Sequence, residues 1–230
     1  MEPTSLAADA ARSTGSPEFG ERLGAAVSFA TTEHFNLQTA RVATVAEANG
    51  RASLYLAALS TNLIALAFVG QMSRLGTAFY AFALILFPVL AFVGVVTFQR
   101  LVQSSIEDIA YAHRIARLRA FYVGLAPELE PFLLMVSGQR AEHAGLRPSE
   151  RQLTLTTAGM VAVVNSAVIG ACVGLAVTLL PIGSLVVALA AGAFAGPAAL
   201  SMHRHHHRRA FERYTPEGVD RAAIVASAVS

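Results

Sequence analysis

Four stretches without a charged residue divide this chain: 52–72, 76–98, 154–180 and 182–202. Each has about 20 residues, the length a helix needs to cross a hydrocarbon layer of roughly 30 Å. In lipid every backbone N–H and C=O must find a partner within its own segment or a closed barrel. The alternating strands of a barrel are not seen, so each run predicts a helix. Charged residues make up 14% of the chain and hydrophobic ones 54%, whereas soluble domains carry about 25% charge. That leaves too little polar surface to bury four such helices in water. The predicted fold class is all-α, a membrane protein with four transmembrane helices in two hairpins plus cytoplasmic helical extensions. The links at 73–75 and at Pro181 are so short that each pair must turn back on itself.

Sidedness follows from arginine. All 17 basic residues are Arg, with no Lys. Only Arg74 falls between the first two runs, and the other sixteen lie before, between or after the hairpins. Positive residues stay in the cytoplasm, so both termini and the central segment are expected there, in a multi-pass protein of the inner (cytoplasmic) membrane. All seven His and all 15 acidic residues fall on that same side. No basic start followed by an apolar core appears before Ala30, so no cleavable signal peptide is read. Without Lys there is no phosphate-loop or Schiff-base lysine. The single Cys172 excludes an intrachain disulfide, and a net charge of +2 gives no reason to expect nucleic acid.

The segments divide as follows. Residues 1–27 read as a disordered tail rich in Ala, Ser and Gly. Residues 28–51 read as a cytoplasmic helix, with Phe35, Thr39, Val42, Ala46 and Asn49 on one stripe that continues to Ser53 and Ala57, so that it can run into the first span. The hairpin 52–98 leads into a cytoplasmic segment, 99–153. There the spacing predicts a helix to Leu125 with two apolar stripes: Val102, Ile106, Ile109 and His113 on one side, Tyr111, Ile115, Leu118 and Tyr122 on the other. The second stripe is expected to meet another subunit. A short helix from Pro127 to Val136 and a polar loop over 137–150 follow. The second hairpin is 154–202, and 203–230 is a basic juxtamembrane segment and tail.

Ser166, Gly170 and Gly174 in the third run, and Gly192 and Gly196 in the fourth, recur every four residues. Small residues at that spacing let helix backbones approach closely. Contact within the hairpin is the first reading, and a subunit interface is the alternative. Asn62 and Asn165 are the polar residues near mid-span, at similar depth, and are expected to act as packing glue. The spans contain no Asp, Glu, Arg or His, which argues against an ion-coupled transporter. His203, His205, His206 and His207 are weak metal candidates, since their spacing matches no closed site and Arg neighbours repel a cation. With Arg204, Arg208 and Arg209 they read better as an anchor for lipid headgroups. No catalytic constellation and no cofactor motif is found, so the chain is expected not to be an enzyme and to have no small-molecule substrate.

Thr44-Val-Ala-Glu-Ala-Asn-Gly-Arg-Ala-Ser-Leu-Tyr-Leu56 and Ser105-Ile-Glu-Asp-Ile-Ala-Tyr-Ala-His-Arg114 together resemble uncharacterised four-span membrane proteins of actinobacteria. That resemblance covers roughly residues 28–205 and implies no activity. A more distant likeness is to bacterial membrane effectors of the SLATT and Pycsar type, which set a cytoplasmic helix before a two-helix hairpin and perforate membranes on a nucleotide signal. This chain departs from them in its second hairpin and has no nucleotide-sensing motif. The expected function is therefore structural or regulatory, in contact with the lipid bilayer and as a homo-oligomer. The alternative is a pore-forming effector of a stress or antiviral response.

Overall fold

The computed structural model describes residues 17–132, 156–181 and 184–213. The described residues form four α-helices, α1 (Pro17–Met72), α2 (Thr77–Leu125), α3 (Thr157–Thr178) and α4 (Leu185–Arg213), with a short 3-10 helix, Pro127–Phe132, after α2. All four α-helices are long and apolar enough to cross a membrane. They pack as two hairpins, α1 on α2 and α3 on α4, and α2 against α3 joins the pair.

Three helices outlast their apolar runs, α1, α2 and α4, the last continuing beyond residue 202 to Arg213. α1 is continuous from Pro17 through Gly50 to Met72, so extension and span are one rod. Its start overlaps the part of the expected tail from 17 to 27. Residues 1–16, the loop at 137–150 and the tail at 214–230 lie outside the described residues. α2 carries Pro88 without interruption. The link between α1 and α2 is tight: Arg74 and Leu75 take left-handed backbone angles (φ 50° and 58°). The Leu75 N–H donates back to the Gly70 carbonyl at 2.9 Å, a six-to-one bond that ends a helix and reverses the chain. Thr156 opens α3 by accepting the Gly159 N–H at 3.0 Å, which satisfies one free donor of the first turn.

The α1–α2 contact repeats every seven residues. Buried Ala52, Leu59 and Leu66 on α1 and Ala83 and Leu90 on α2 keep that step in the apolar part. The same seam runs on past the apolar runs, where Arg41 grips Asp108 through Nε to Oδ1 (2.7 Å) and Nη2 to Oδ2 (3.3 Å). His34 then meets the Tyr122 ring at 6.1 Å. A seven-residue repeat is the signature of left-handed coiled-coil packing.

This seam decides which of the apolar stripes are covered. The stripe Phe35, Thr39, Val42 on α1 is not the packing face. Phe35 and Val42 are 70% and 69% exposed, while Ala30 and Leu37 are buried. Register is set by Ala52, Tyr55 and Leu59 inside the apolar run, and a rigid helix carries it outward. Continued downward by sevens from Tyr55, the seam lands on Ala48, Arg41 and His34 and leaves Phe35 outside. On α2, Ile115 is buried between the Asp108 and Tyr122 contacts. The stripe expected to meet another subunit therefore packs on α1 of its own chain.

In the second hairpin the small residues meet each other. A Cβ on Gly170 would stand 2.8 Å from the Gly192 carbonyl oxygen, and one on Gly192 would stand 2.8 Å from the Gly170 carbonyl oxygen. Gly174 faces the Ala188 carbonyl at 3.1 Å, and Gly196 faces that of Ser166 at 3.3 Å. These glycines serve α3–α4 contact, the first of the two readings. Gly192→Leu and Gly174→Leu should each lower thermal solubility in detergent by an amount consistent with ~1–3 kcal/mol of overpacking. Leu189→Ala, on the exposed face of α4, should melt like wild type. Wild-type melting of both glycine variants would refute the close contact.

Candidate functional site

A polar layer crosses the bundle where the apolar runs give way to the Arg-rich end. Tyr55 from α1, Asn165 from α3 and His203 from α4 meet there beside Gly94 of α2. Asn165 is 0% exposed and Tyr55 2%. At 1.5 Å per residue the layer lies about 25 Å below Met72 on α1 and below Thr77 on α2, and roughly 27 Å below Leu185 on α4. On α3 it lies only about 20 Å below Thr178, so the first two turns of α3 extend beyond the layer. There Ala158, Val161 and Ala162 join Ala52, Phe98, Leu101 and Val102 in the largest buried cluster.

That offset separates the two asparagines. Asn165 is level with Tyr55, whereas Asn62 stands about 10 Å further along α1. The Asn62 Nδ2 donates to the Ala58 carbonyl of its own helix at 2.8 Å, so the two side chains do not share a depth or a bond.

The chemistry of the layer turns on the Asn165 amide. His203 Nδ1 lies 2.7 Å from the Ala199 carbonyl. A carbonyl only accepts, so this nitrogen carries a proton. In a neutral imidazole Nε2 is then an acceptor, and Asn165 Nδ2 donates to it at 3.4 Å while Tyr55 Oη donates to Oδ1 at 3.2 Å. Turned over, the amide donates to the Ala91 carbonyl and to Tyr55 Oη, both at 3.2 Å, and accepts from the Val95 N–H at 3.3 Å. Gly94 makes this contact close: a Cβ there would overlap the Asn165 amide and reach 2.7 Å from Tyr55 Oη.

The remaining candidates divide by helix face. His203 and His207 are four apart and turn inward, packing edge-on at 4.6 Å to Phe98 and tilted at 4.7 Å to Phe211, respectively. His205 and His206 are exposed. Among the described residues no three His, Cys, Asp or Glu converge to hold a metal. Beyond the apolar run, burial first and the neighbouring His206 second push His207 below the ordinary histidine pKa. His34 is pushed the same way by burial and then by Arg119. Arg204 and Arg208 line a cavity of about 350 Å³ between α4, α3 and α2, and Arg209 is exposed beside it. Ser166 donates to the Ala162 carbonyl at 2.6 Å and stays within its helix.

Tyr55, Gly94 and the inward turn of His203 escaped sequence reading. Each looks ordinary within its own helix, and only the junction of four helices gives them a role. No protein-family model, no curated protein and no solved structure matches this chain.

Asn165→Leu leaves Tyr55 Oη and His203 Nε2 without their partner, at a cost of ~1–3 kcal/mol for buried polar groups. Its melting temperature should fall clearly, while Asn62→Leu should leave it within error of wild type. Equal melting of the two variants would show that the layer contributes nothing.

Proposed function

We propose that this chain is a non-enzymatic integral membrane protein with a structural or regulatory role, that it self-associates, and that both termini face the cytoplasm. The carrying observation is the outward stripe of α1. Phe35 and Val42 are 70% and 69% exposed and lie about 25 Å and 15 Å before the apolar run begins. Lipid tails cannot cover them at that distance, and large apolar side chains grouped on a water-facing helix mark an interaction surface. A second copy presents the same stripe, which suits a two-fold interface. The Arg distribution supports the orientation.

Phe35→Ser combined with Val42→Ser should reduce the oligomer order seen by native mass measurement in mild detergent without altering membrane insertion. A wild-type monomer in several mild detergents would refute self-association. Release of dye from vesicles carrying the purified protein would replace this reading with a pore.

For the orientation, single cysteines at Ser16 and at Ser227, with Cys172 replaced, should react with an impermeant thiol reagent only after the cells are permeabilised. Labelling of either site in intact cells would reverse the assignment.

A further inference from the structure

We propose that the cavity between α4, α3 and α2 is a binding site for a phosphate ester, held by Arg204, Arg208 and His207, with the headgroup of an anionic phospholipid as its natural source. The cavity has a volume of about 350 Å³, within the size range of small-molecule sites. Its wall is divided. Phe98, Ala162 and Leu200 form an apolar side, and Arg204 and Arg208, one turn apart on α4, form a cationic side. None of its described lining residues is acidic. A cationic rim over an apolar wall matches a phosphate with an acyl or glycerol group attached, and guanidinium groups match phosphate oxygens in geometry as well as charge.

The second observation is His207. It lines the cavity and is 5% exposed, yet its Nε2 is buried without a hydrogen-bond partner among the described residues. Buried polar atoms are nearly always paired, and one that is not calls for an explanation. A phosphate oxygen in the cavity supplies it, accepting from an Nε2–H. Burial first and His206 second disfavour a charged His207, and the negative charge of an anion beside the ring opposes that effect.

Position favours a lipid. Arg204 follows the layer at His203, where the apolar run ends, so the cationic side lies where the headgroups of a bilayer would stand if the four helices cross it. The site rests on the membrane reading for the source of its phosphate and is independent of self-association. Arg208 is also engaged within the protein, so Arg204 and His207 carry the test. Arg100 on α2 is the control, because its replacement removes the same charge from an exposed residue that does not line the cavity.

The test is native mass measurement of the full chain in detergent, titrated with dioctanoyl phosphatidic acid, dioctanoylglycerol and inorganic phosphate. The phosphatidic acid should bind, and the phosphate-free diacylglycerol should bind at least tenfold more weakly. Arg204→Gln and His207→Phe should each weaken phosphatidic acid by roughly tenfold or more, the loss of one charge-assisted hydrogen bond. Arg100→Gln should stay within about twofold. If inorganic phosphate competes with the same dependence on Arg204, the site is confirmed as a phosphate seat open to soluble esters. If it does not compete, the lipid is the ligand. Equal losses in all three variants would show diffuse polybasic attraction and overturn the proposal, as would diacylglycerol binding as tightly as phosphatidic acid. Melting of each unliganded variant reports its folding, and the exposed Arg204 keeps the test decisive if His207→Phe does not fold. The same spectra give oligomer order. A monomer that binds lipid through Arg204 would refute self-association alone, and an oligomer without Arg204-dependent binding would refute this site alone.

Discussion

Asn165 occupies the space that any side chain at position 94 would need, and this contact sets α3 against α2 at one height. The consequences extend through the bundle. Tyr55 reaches the same amide from α1, and His203 reaches it from α4, so all four helices are registered at a single layer. A fully buried amide is costly unless its bonds are made. Here the amide finds its partners within the chain, on Tyr55 and His203. Sliding either hairpin by one turn, about 5.4 Å, would strand the amide among apolar side chains.

Packing is dense beside this layer and sparse above it. In the most apolar stretch of each helix only 11–33% of residues are buried within the chain. Leu54, Ile64, Phe68, Ile85, Phe92 and Phe194 all face outward there. If these helices cross a bilayer, lipid removes the hydrophobic drive between them, so contact in that zone depends on close backbone approach, and the facing glycines of α3 and α4 provide it. At the Arg-rich end Leu101, Val102, Ala158 and Val161 belong to the largest buried cluster among the described residues. The helices extend past their apolar runs because that packing, together with the Arg41–Asp108 pair, supports them. An exposed ion pair contributes little by itself, so the apolar seam carries most of the stability.

The division of the basic segment after the fourth run shows how a linear motif becomes a site. Written in order, His203 to Arg209 is an undifferentiated run of cations and imidazoles. Wound into a helix, it sends His203 and His207 toward Phe98 and Phe211, sets Arg204 and Arg208 along one cavity, and leaves Arg209 outside. The four histidines do not converge because their spacing spreads them around the axis.

The four apolar runs, their helical state and the hairpin turns were legible in the sequence because length, absence of charge and backbone hydrogen bonding in lipid leave no other local solution. The small-residue stripes were legible for a related reason: a four-residue period marks one helix face whatever it meets. What covers a face was not legible. The stripe at Phe35 and the stripe at Ile115 are both apolar at helical spacing, yet one is bare and the other sealed. The choice was made some 20 residues away, by the seam at Ala52, Tyr55 and Leu59, and transmitted along a rigid helix. The depth of Asn165 also waited on tertiary structure, because an uncharged run shows how long a helix is and not how far it slides past its neighbours. That offset is decided where Gly94 admits the amide.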